Sequence, residues 1–354
     1  MTLTTMATGP ACARLSRMTG GKTPISNVSD TARWVAAYRA RETARPDALF
    51  HDPLADRLAG PQGYAIADAA PRVMRNGWPL IARTALIDDL IAKSIAEGCD
   101  RVLNLAAGLD TRPYRLDLPA DFVWVEADLP GILEEKEAAL AAETPRCTLI
   151  RRAVDLSDHE AREKFLDEAL GAIGPVTERA TKALVLTEGL LLYLDLDTVT
   201  ELLRALARPE VGWWMGDILL SSMNMNSDSL LDNAPLKFTP PGGLAYFEGL
   251  DWHPLEIEEL LLNARKLGRA PWFLRPFTYL PQPDPYKPMR RPWSGVIRFH
   301  RYAPQDVSGS TDESQRVRTS SRRRKSVLAG IAVVGLGALA YAVRAGLRRR
   351  HRRP

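Results

Sequence analysis

The sequence predicts a doubly wound α/β domain with a mostly parallel sheet, and two observations support this fold class. Five apolar stretches of strand length occur between residues 101 and 219, and segments with helical spacing of apolar residues alternate with them. The first stretch, 102–107, ends at Gly108, and the turn and helix-cap residue types Asp110 and Thr111 follow. Such alternation produces parallel strands with right-handed crossovers, and ligands bind beyond the carboxyl ends of these strands.

Each element is predicted from its periodicity and its flanking residues. Strands are predicted at residues 101–106, 122–128, 147–156, 182–194 (running into a turn) and 211–219, with a closing edge strand at 293–303. Helices are predicted at residues 30–43, 80–98, 131–143, 159–170 and 196–207. Asp30 or Thr31 is expected to cap the first helix, and Gly98 to end the second. Short helical or turn pieces are expected at 46–60, and irregular structure at the Pro-rich 271–292.

Changes in composition divide the chain into five regions. Residues 1–27 are rich in Thr, Ser and Gly and are expected to form a disordered lead-in, followed by the α/β domain at 28–303. A polar basic linker is predicted at 304–325, a membrane-anchoring helix at 326–347 and a basic C-terminus at 348–354. Within the predicted anchor, the seventeen residues 327–343 carry no charge, and the arginine clusters on both sides of the anchor are expected to bind anionic lipid head groups.

The net charge of +4 combines an acidic body with a basic tail. Residues 316–354 contain twelve Arg or Lys and no Asp or Glu, whereas residues 1–315 contain 35 basic and 43 acidic residues, a net charge of −8. The basic pI therefore gives no reason to expect that the body binds nucleic acid. Three widely spaced cysteines without a C-x-x-C motif exclude a disulfide framework, and five scattered histidines show no metal-ligand spacing, so no metal is expected.

Acidic residues follow the second and third predicted strands, as in nucleoside-binding folds. Glu126 and Asp128 end the second strand, about 20 residues beyond the glycine turn, where a carboxylate can accept hydrogen bonds from ribose hydroxyls. Asp155 follows the third strand, where it can meet an adenine amino group while Leu156 covers the ring face. Acidic residues also commonly cap helices after strands, so a single position does not decide between the two roles. Their occurrence in successive turns favours a nucleoside site.

Four motifs, VLNLAAGLDTRPYRL, VEADLP, VDL and LTEGLLLYL, resemble in this order those of the leucine carboxyl methyltransferase-type family. The likeness is greatest to its actinobacterial branch of S-adenosylmethionine-dependent methyltransferases, which the upstream VAAYRARETARPDALFHDPLA also resembles. The resemblance spans residues 30–303. It implies a class I, Rossmann-like methyltransferase fold with an N-terminal helical lid, and S-adenosyl-L-methionine as the cofactor.

The resemblance implies roles in cofactor binding for several residues of these motifs. By this resemblance Gly108 lines the methionine moiety, Asp128 binds the ribose hydroxyls, and Asp155 and Leu156 contact the adenine.

Arg83 matches the arginine that meets the cofactor's carboxylate in the family, since a guanidinium can bind a carboxylate through two parallel hydrogen bonds. Arg39 and Arg33 are further candidates for the same anion. The family pattern has Gly-Ala-Gly where this chain has Ala106-Ala107-Gly108, so that only the second glycine is kept. The extra methyl group of Ala106 is expected to be tolerated if its φ angle is negative.

Glu188 follows the fourth predicted strand and by resemblance faces the sulfonium or the acceptor. A carboxylate there stabilises a cationic methyl donor or positions the acceptor, and Tyr193 is expected to line the same pocket. Methyl transfer is an in-line displacement for which the protein supplies alignment and electrostatics rather than a nucleophile. A carboxylate acceptor needs little base, whereas a hydroxyl acceptor needs a proton acceptor, for which Glu188 and His253 are candidates.

The sequence therefore predicts a methyltransferase that uses S-adenosyl-L-methionine and acts on a carboxylate or hydroxyl oxygen of a small molecule. One alternative is a nicotinamide-dependent oxidoreductase, which predicts a G-x-G-x-x-G sequence after the first strand that this chain lacks. A second is a membrane-tethered binding module with a degenerate cofactor pocket, against which the presence of Asp128, Asp155 and Glu188 argues. The catalytic domain is expected in the cytoplasm, held at the inner membrane face by the tail; the acceptor and the oligomeric state are left open.

Overall fold

The computed structural model of the protein describes residues 25, 28–220, 235–287 and 292–301. Apart from Ile25, the predicted disordered lead-in lies outside the described residues, as do the predicted linker, membrane-anchoring helix and basic C-terminus. Across the described ranges, no helix combines the length and the apolar character needed to cross a membrane.

A seven-stranded sheet forms the centre of the fold. Its strands are β1 (Arg101–Leu105), β2 (Val123–Asp128), β3 (Thr148–Ala153), β4 (Ala183–Thr187), β5 (Val211–Leu220), β6 (His253–Glu259) and β7 (Trp293–His300). They lie in the order β3-β2-β1-β4-β5-β7-β6. The first five strands are parallel, and β7 runs antiparallel to both β5 and β6. The doubly wound, mostly parallel sheet predicted from the sequence is confirmed.

The prediction that β7 closes the sheet as an edge strand is wrong. β7 lies between β5 and β6, and β6 forms the edge. The sequence of β6, HPLEIEE, contains a proline and three glutamates and is only partly buried, so it lacks the apolar run by which the other strands were predicted. Polar and proline residues suit an edge strand, whereas β7 is buried along most of its length because it has neighbours on both sides.

Nine helices occur within the described residues: α1 (Val28–Thr43), α2 (Ala55–Ala69), α3 (Trp78–Ala96), α4 (Arg112–Arg115), α5 (Pro130–Leu140), α6 (His159–Leu170), α7 (Leu196–Ala205), α8 (Ala245–Glu248) and α9 (Leu260–Lys266). The five predicted helices are present with small shifts of their ends. Because α1 begins at Val28, Asp30 and Thr31 lie in its first turn rather than at its N-cap. The 46–60 region leads into α2, which continues past the predicted pieces and is kinked at Gly60, before Pro61.

Apolar side chains cover both faces of the sheet. Successive residues of β1 point to opposite faces: Leu103 belongs to the core beneath α6 and α7, and Val102 to the core beneath α3 and α9. A third apolar cluster lies beneath α1 and α2 and contains Leu109, which is part of the turn after β1. The N-terminal helices therefore pack directly onto the loop where the sequence places the ligand site.

Candidate active site

The turn after β1 is bound to the end of β2 by one carboxylate. The backbone N–H of Gly108 donates to Oδ2 of Asp128 at 2.6 Å, and the N–H of Leu129 donates to Oδ1 at 2.8 Å. Burial raises the pKa of Asp128, and these two hydrogen bonds offset only part of that rise. A Cβ atom at Gly108 would lie 3.3 Å from Cβ of Ala32, so α1 packs closely on this turn. Asp128 thus positions the loop that the sequence assigns to the cofactor.

Ala106 does not meet the condition of a negative φ angle under which its methyl group was expected to be tolerated. Its φ is +54°, in the left-handed region, and Gly108 has a φ of +48°. A left-handed conformation costs an L-residue about 1–2 kcal/mol because its Cβ approaches the carbonyl oxygen. The glycine of the family pattern at this position therefore has a conformational reason, and this chain carries backbone strain beside the site.

Arg112 joins the turn after β1 to the turn after β4. Its Nη1 donates to Oδ2 of Asp110 and to Oε2 of Glu188, both at 2.7 Å, and its Nε donates to Oδ1 of Asp88, also at 2.7 Å. Arg112 is 2% exposed, and burial opposes its charge, but Asp110, Glu188 and Asp88 raise its pKa well above the ordinary value. The strand order reverses between β1 and β4, so Arg112 lies at the topological switch point where such sheets bind ligands.

Arg83, buried in α3, is shared between two carboxylates. Its Nη1 donates to Oδ2 of Asp217 at 2.8 Å, and its Nε lies 2.9 Å from Oε1 of Glu188, in an ion pair without hydrogen-bond alignment. The other oxygen of Asp217 accepts the backbone N–H of Gly189 at 2.6 Å. These contacts bring the end of β4 together with β5. Burial opposes the charge of Arg83, but Asp217 and Glu188 together raise its pKa.

Both oxygens of Glu188 face arginines, and this decides its chemistry. Burial alone would raise the pKa of Glu188, but Arg112 and Arg83 outweigh it and lower the pKa. An ionised carboxylate whose two oxygens are already paired is a weak proton acceptor. The geometry thus argues against Glu188 as the general base for a hydroxyl acceptor, and in favour of an electrostatic role.

Tyr193 lies in the same part of the molecule as Arg83. It follows β4 in a 3₁₀ turn, Leu191–Tyr193, and it hydrogen-bonds with Thr31 of α1. Burial raises the pKa of its phenol, so it is neutral at physiological pH. Tyr193 therefore connects the N-terminal helices to the turn that carries Glu188.

The residues predicted to contact adenine differ in exposure. Asp155 is exposed, and its Oδ1 accepts hydrogen bonds from the N–H and the hydroxyl of Ser157 at 2.9 and 2.7 Å, which lower its pKa. Leu156 is 7% exposed and belongs to the core on the side of α6 and α7. Asp155 is accessible to a ligand, whereas most of the Leu156 side chain is packed away from one.

Neither further arginine candidate for the cofactor's carboxylate extends freely into the site. Arg39 donates from Nε to Oδ2 of Asp52 at 2.8 Å and from Nη2 to the carbonyl of Leu109 at 2.6 Å, so it holds the turn after β1 from α1. Arg33 pairs with Asp30 at 3.1 Å and with Glu135.

His253 is remote from the predicted site. It begins β6 and pairs with His300, which in turn pairs with Trp213 near the start of β5. These positions lie at the amino end of the parallel strands, whereas Glu188 follows the carboxyl end of β4. The structure therefore does not bring His253 to Glu188, and its candidacy as a proton acceptor was wrong.

Several site residues were not singled out from the sequence. Arg112, Asp110 and Asp88 form the ion-pair cluster with Glu188, and Asp217 completes it from β5. The polar run Asp-Thr-Arg after the glycine turn was a signal for two of them. Asp217 lies inside an otherwise apolar strand sequence, and its charge at that position was the signal that could have identified it.

A groove lies between α6 and α7, lined by none of the residues of this cluster. It has a volume of about 440 Å³ and is lined by charged residues, among them Arg162, Glu163, Glu201 and Arg208. Arg208 contacts Glu163 at 2.6 Å and Arg162 contacts Glu201 at 3.4 Å. Because its charges pair with one another and it contains no predicted site residue, we do not assign the active site to this groove.

Comparison with known proteins identifies the family. The leucine carboxyl methyltransferase family profile matches residues 32–207. A protein of Streptomyces avermitilis is 37% identical over 202 residues, which cover 54% of this chain and 69% of that protein. A protein of Mycobacteroides abscessus is 37% identical over 193 residues, which cover 51% of this chain and 61% of that protein. Both are provisionally named S-adenosyl-L-methionine-dependent methyltransferases.

Among solved structures, a provisionally named methyltransferase from Thermobifida fusca overlays with a TM-score of 0.48 at 14% identity, covering 82% of this chain and all of that one. The comparisons give no support to the nicotinamide-dependent or the degenerate-pocket alternative. On the identity and coverage of the Streptomyces avermitilis relative, the chain belongs to the family of S-adenosyl-L-methionine-dependent methyltransferases.

Proposed function

We propose that the protein transfers the methyl group of S-adenosyl-L-methionine to an oxygen atom, of a carboxylate or a hydroxyl group, on a small molecule. The observation that carries this proposal is the position of Arg112, whose Nη1 lies 2.7 Å from Asp110 and from Glu188 across the switch point of the sheet. It places a network of buried charges where α/β folds bind their ligands.

The charges of this network fit the cofactor. Three arginines and four carboxylates, namely Arg83, Arg112, Arg115, Asp88, Asp110, Glu188 and Asp217, are joined by ion pairs and carry a net charge of −1. S-adenosyl-L-methionine has a sulfonium, an ammonium and a carboxylate group, so its methionyl portion has a net charge of +1. The bound cofactor supplies an electrophilic methyl group. A buried site of opposite net charge reduces the cost of desolvating that ligand.

Different residues of the site would bind different parts of the cofactor. The backbone N–H groups of Gly108 and Leu129 use only some of the lone pairs of the Asp128 carboxylate, and Asp128 would accept hydrogen bonds from the ribose hydroxyls through the remaining ones. Asp155 would accept a hydrogen bond from the adenine amino group. Leu156 would contact the ring only through the small part of its side chain that is accessible. Arg83 would bind the carboxylate, while Arg39 would act indirectly by holding the turn that contains Gly108.

Glu188 and Tyr193 would act on the reacting end. The ionised Glu188 would stabilise positive charge on the methyl donor, and the neutral Tyr193 would wall the pocket from the side of α1. Since Glu188 is paired with two arginines, the arrangement favours an acceptor that is already anionic, such as a carboxylate, which reacts without loss of a proton.

Calorimetry tests the cofactor assignment. S-adenosyl-L-methionine should bind saturably, and Asp128→Ala should weaken binding by about 1.5–3 kcal/mol, the typical value of a hydrogen bond to a charged group. Asp167→Ala is the matched control, because Asp167 is an exposed carboxylate in the last turn of α6 that pairs with Arg208. Saturable binding of NAD without binding of S-adenosyl-L-methionine would contradict the proposal. Incubation with labelled cofactor and a metabolite extract, followed by mass spectrometry, would identify the acceptor.

We further propose that residues 326–347 hold the catalytic domain at the inner face of the membrane, with the flanking arginines on anionic lipids. The seventeen uncharged residues between Val327 and Val343 would extend about 25 Å as a helix at 1.5 Å per residue, and the neighbouring residues lengthen this to a full span. The full chain should sediment with membranes and resist a high-salt wash, and a chain ending at Pro304 should not. A full chain that stays in the supernatant would refute the anchor.

A further inference from the structure

Asp217 contacts both Arg83 and the turn that carries Glu188, although no role in binding the cofactor or the acceptor has been proposed for it. Its Oδ2 accepts the Arg83 guanidinium at 2.8 Å, and its Oδ1 accepts the backbone N–H of Gly189 at 2.6 Å. Gly189 directly follows Glu188 and has a φ of +68°, a conformation that suits glycine. We infer that Asp217 is a positioning residue that orients Arg83 for the carboxylate of the cofactor; this inference rests on the proposed function.

The location of Asp217 gives it the necessary rigidity. It lies in β5 and is paired with Val296 of the antiparallel neighbour β7. Asp217 is 8% exposed, so its carboxylate is buried together with its partners. Because β7 pairs with the backbone at Asp217 and the carboxylate is buried, this side chain has little freedom to move, and a group that it binds is held in a fixed position.

These contacts occupy two of the three nitrogen atoms of the Arg83 guanidinium. Nη1 is bound to Asp217, and Nε faces Glu188. Within the part of the chain that the structure describes, Nη2 makes no hydrogen bond. A guanidinium held at one terminal nitrogen and at Nε presents its remaining terminal nitrogen in one direction, which is the arrangement required to meet an anion.

Asp217 also competes with Glu188 for the positive charge of Arg83. Without its negative charge, the buried Arg83 would have Glu188 as its sole carboxylate partner and would turn toward it. Glu188 is already bound by Arg112 on its other oxygen. We therefore expect that loss of the Asp217 charge removes Arg83 from the cofactor carboxylate while the nucleoside part of the pocket, at Gly108 and Asp128, is unaffected.

Two ligands and one substitution test this. Asp217→Asn keeps the shape of the side chain and an acceptor for the Gly189 N–H, but it puts no negative charge against Arg83. Binding of S-adenosyl-L-methionine, measured by calorimetry, should weaken at least about tenfold, in line with the loss of a charge-assisted hydrogen bond. Binding of 5′-methylthioadenosine, which has the nucleoside and the sulfur but no carboxylate, should change less than about twofold. In an Arg83→Met background, Asp217→Asn should add almost nothing to the loss.

Three results would overturn the inference. An unchanged affinity of Asp217→Asn for S-adenosyl-L-methionine would show that Arg83 does not depend on Asp217. An equal loss for both ligands would show a general effect on the fold. A full loss from Asp217→Asn in the Arg83→Met background would show that Asp217 does not act through Arg83. If the wild-type protein does not bind S-adenosyl-L-methionine, the proposed function itself fails.

Discussion

The Nη1 atom of Arg112 lies 2.7 Å from Oε2 of Glu188, although the two residues are 76 positions apart in the sequence. This contact, together with the one to Asp110, replaces solvent around three buried charges. In a buried cluster of this kind, removing one partner leaves the remaining charges only partly compensated.

We expect Arg112→Met to destabilise the protein by about 3–5 kcal/mol, because Asp110 would lose its ion pair with Arg112 and Glu188 would lose one of its two arginine partners. Urea denaturation followed by circular dichroism measures the change. Arg179→Met is the matched control: Arg179 is 68% exposed and pairs with Glu210 at the surface, so its loss should cost less than about 1 kcal/mol. Equal effects of the two substitutions would show that the cluster does not contribute to stability as described.

The lowered pKa of Glu188 predicts how stability depends on pH. Its pKa is lower in the folded than in the unfolded protein, so the unfolded state binds more protons between the two values and stability rises with pH there. The contribution is complete above the unfolded pKa, about 4.3, and is lost as the pH falls through the folded value. Unfolding free energies measured from pH 3 to 6 should therefore rise less steeply for Glu188→Gln than for the wild type. A steeper rise of the unfolding free energy with pH in Glu188→Gln would contradict a lowered pKa of Glu188 in the folded protein.

Ala106→Gly should stabilise the turn after β1. Ala106 has a φ of +54°, which glycine adopts without the cost of about 1–2 kcal/mol that an L-residue bears. The greater chain entropy of unfolded glycine offsets roughly 0.5–1 kcal/mol of this, so the net gain should lie between about 0 and 1.5 kcal/mol. Ala107→Gly is the matched control, because Ala107 is not among the described residues with positive φ, and the same substitution should destabilise there. Thermal unfolding distinguishes the two, and destabilisation by Ala106→Gly would contradict the strain at this site.

The two described cysteines should resist alkylation in the folded protein. Burial raises the pKa of Cys99 to about 11 and that of Cys147 to about 12, and the thiolate is the reactive form. Iodoacetamide at pH 8 should therefore leave the peptides that contain Cys99 and Cys147 unmodified, as mass spectrometry can show. The same peptides should react in concentrated urea. Rapid labelling of either peptide without denaturant would show that the thiol is accessible.

Local patterns in the sequence predicted the parallel sheet, its first five strands and the turns that carry the candidate site residues. Strand length, apolar content and helical spacing are local properties, so β1 and the turn at Gly108, and likewise β4 and Glu188, could be predicted from short stretches of chain. The resemblance of the motifs to the family then identified the cofactor.

Which charged side chains pair with one another could not be predicted from the sequence and is seen in the folded protein. Arg83 and Asp217 are 134 positions apart, and neither residue has a local pattern that names the other as its partner. The same holds for β6, whose position at the edge depends on pairing with a strand more than thirty residues later. Periodicity indicates which side of an element is buried, whereas the partner of a buried charge depends on how distant elements pack. For this reason the sequence left Glu188 open as an electrostatic group or a proton acceptor, and only its two arginine partners favour the electrostatic role.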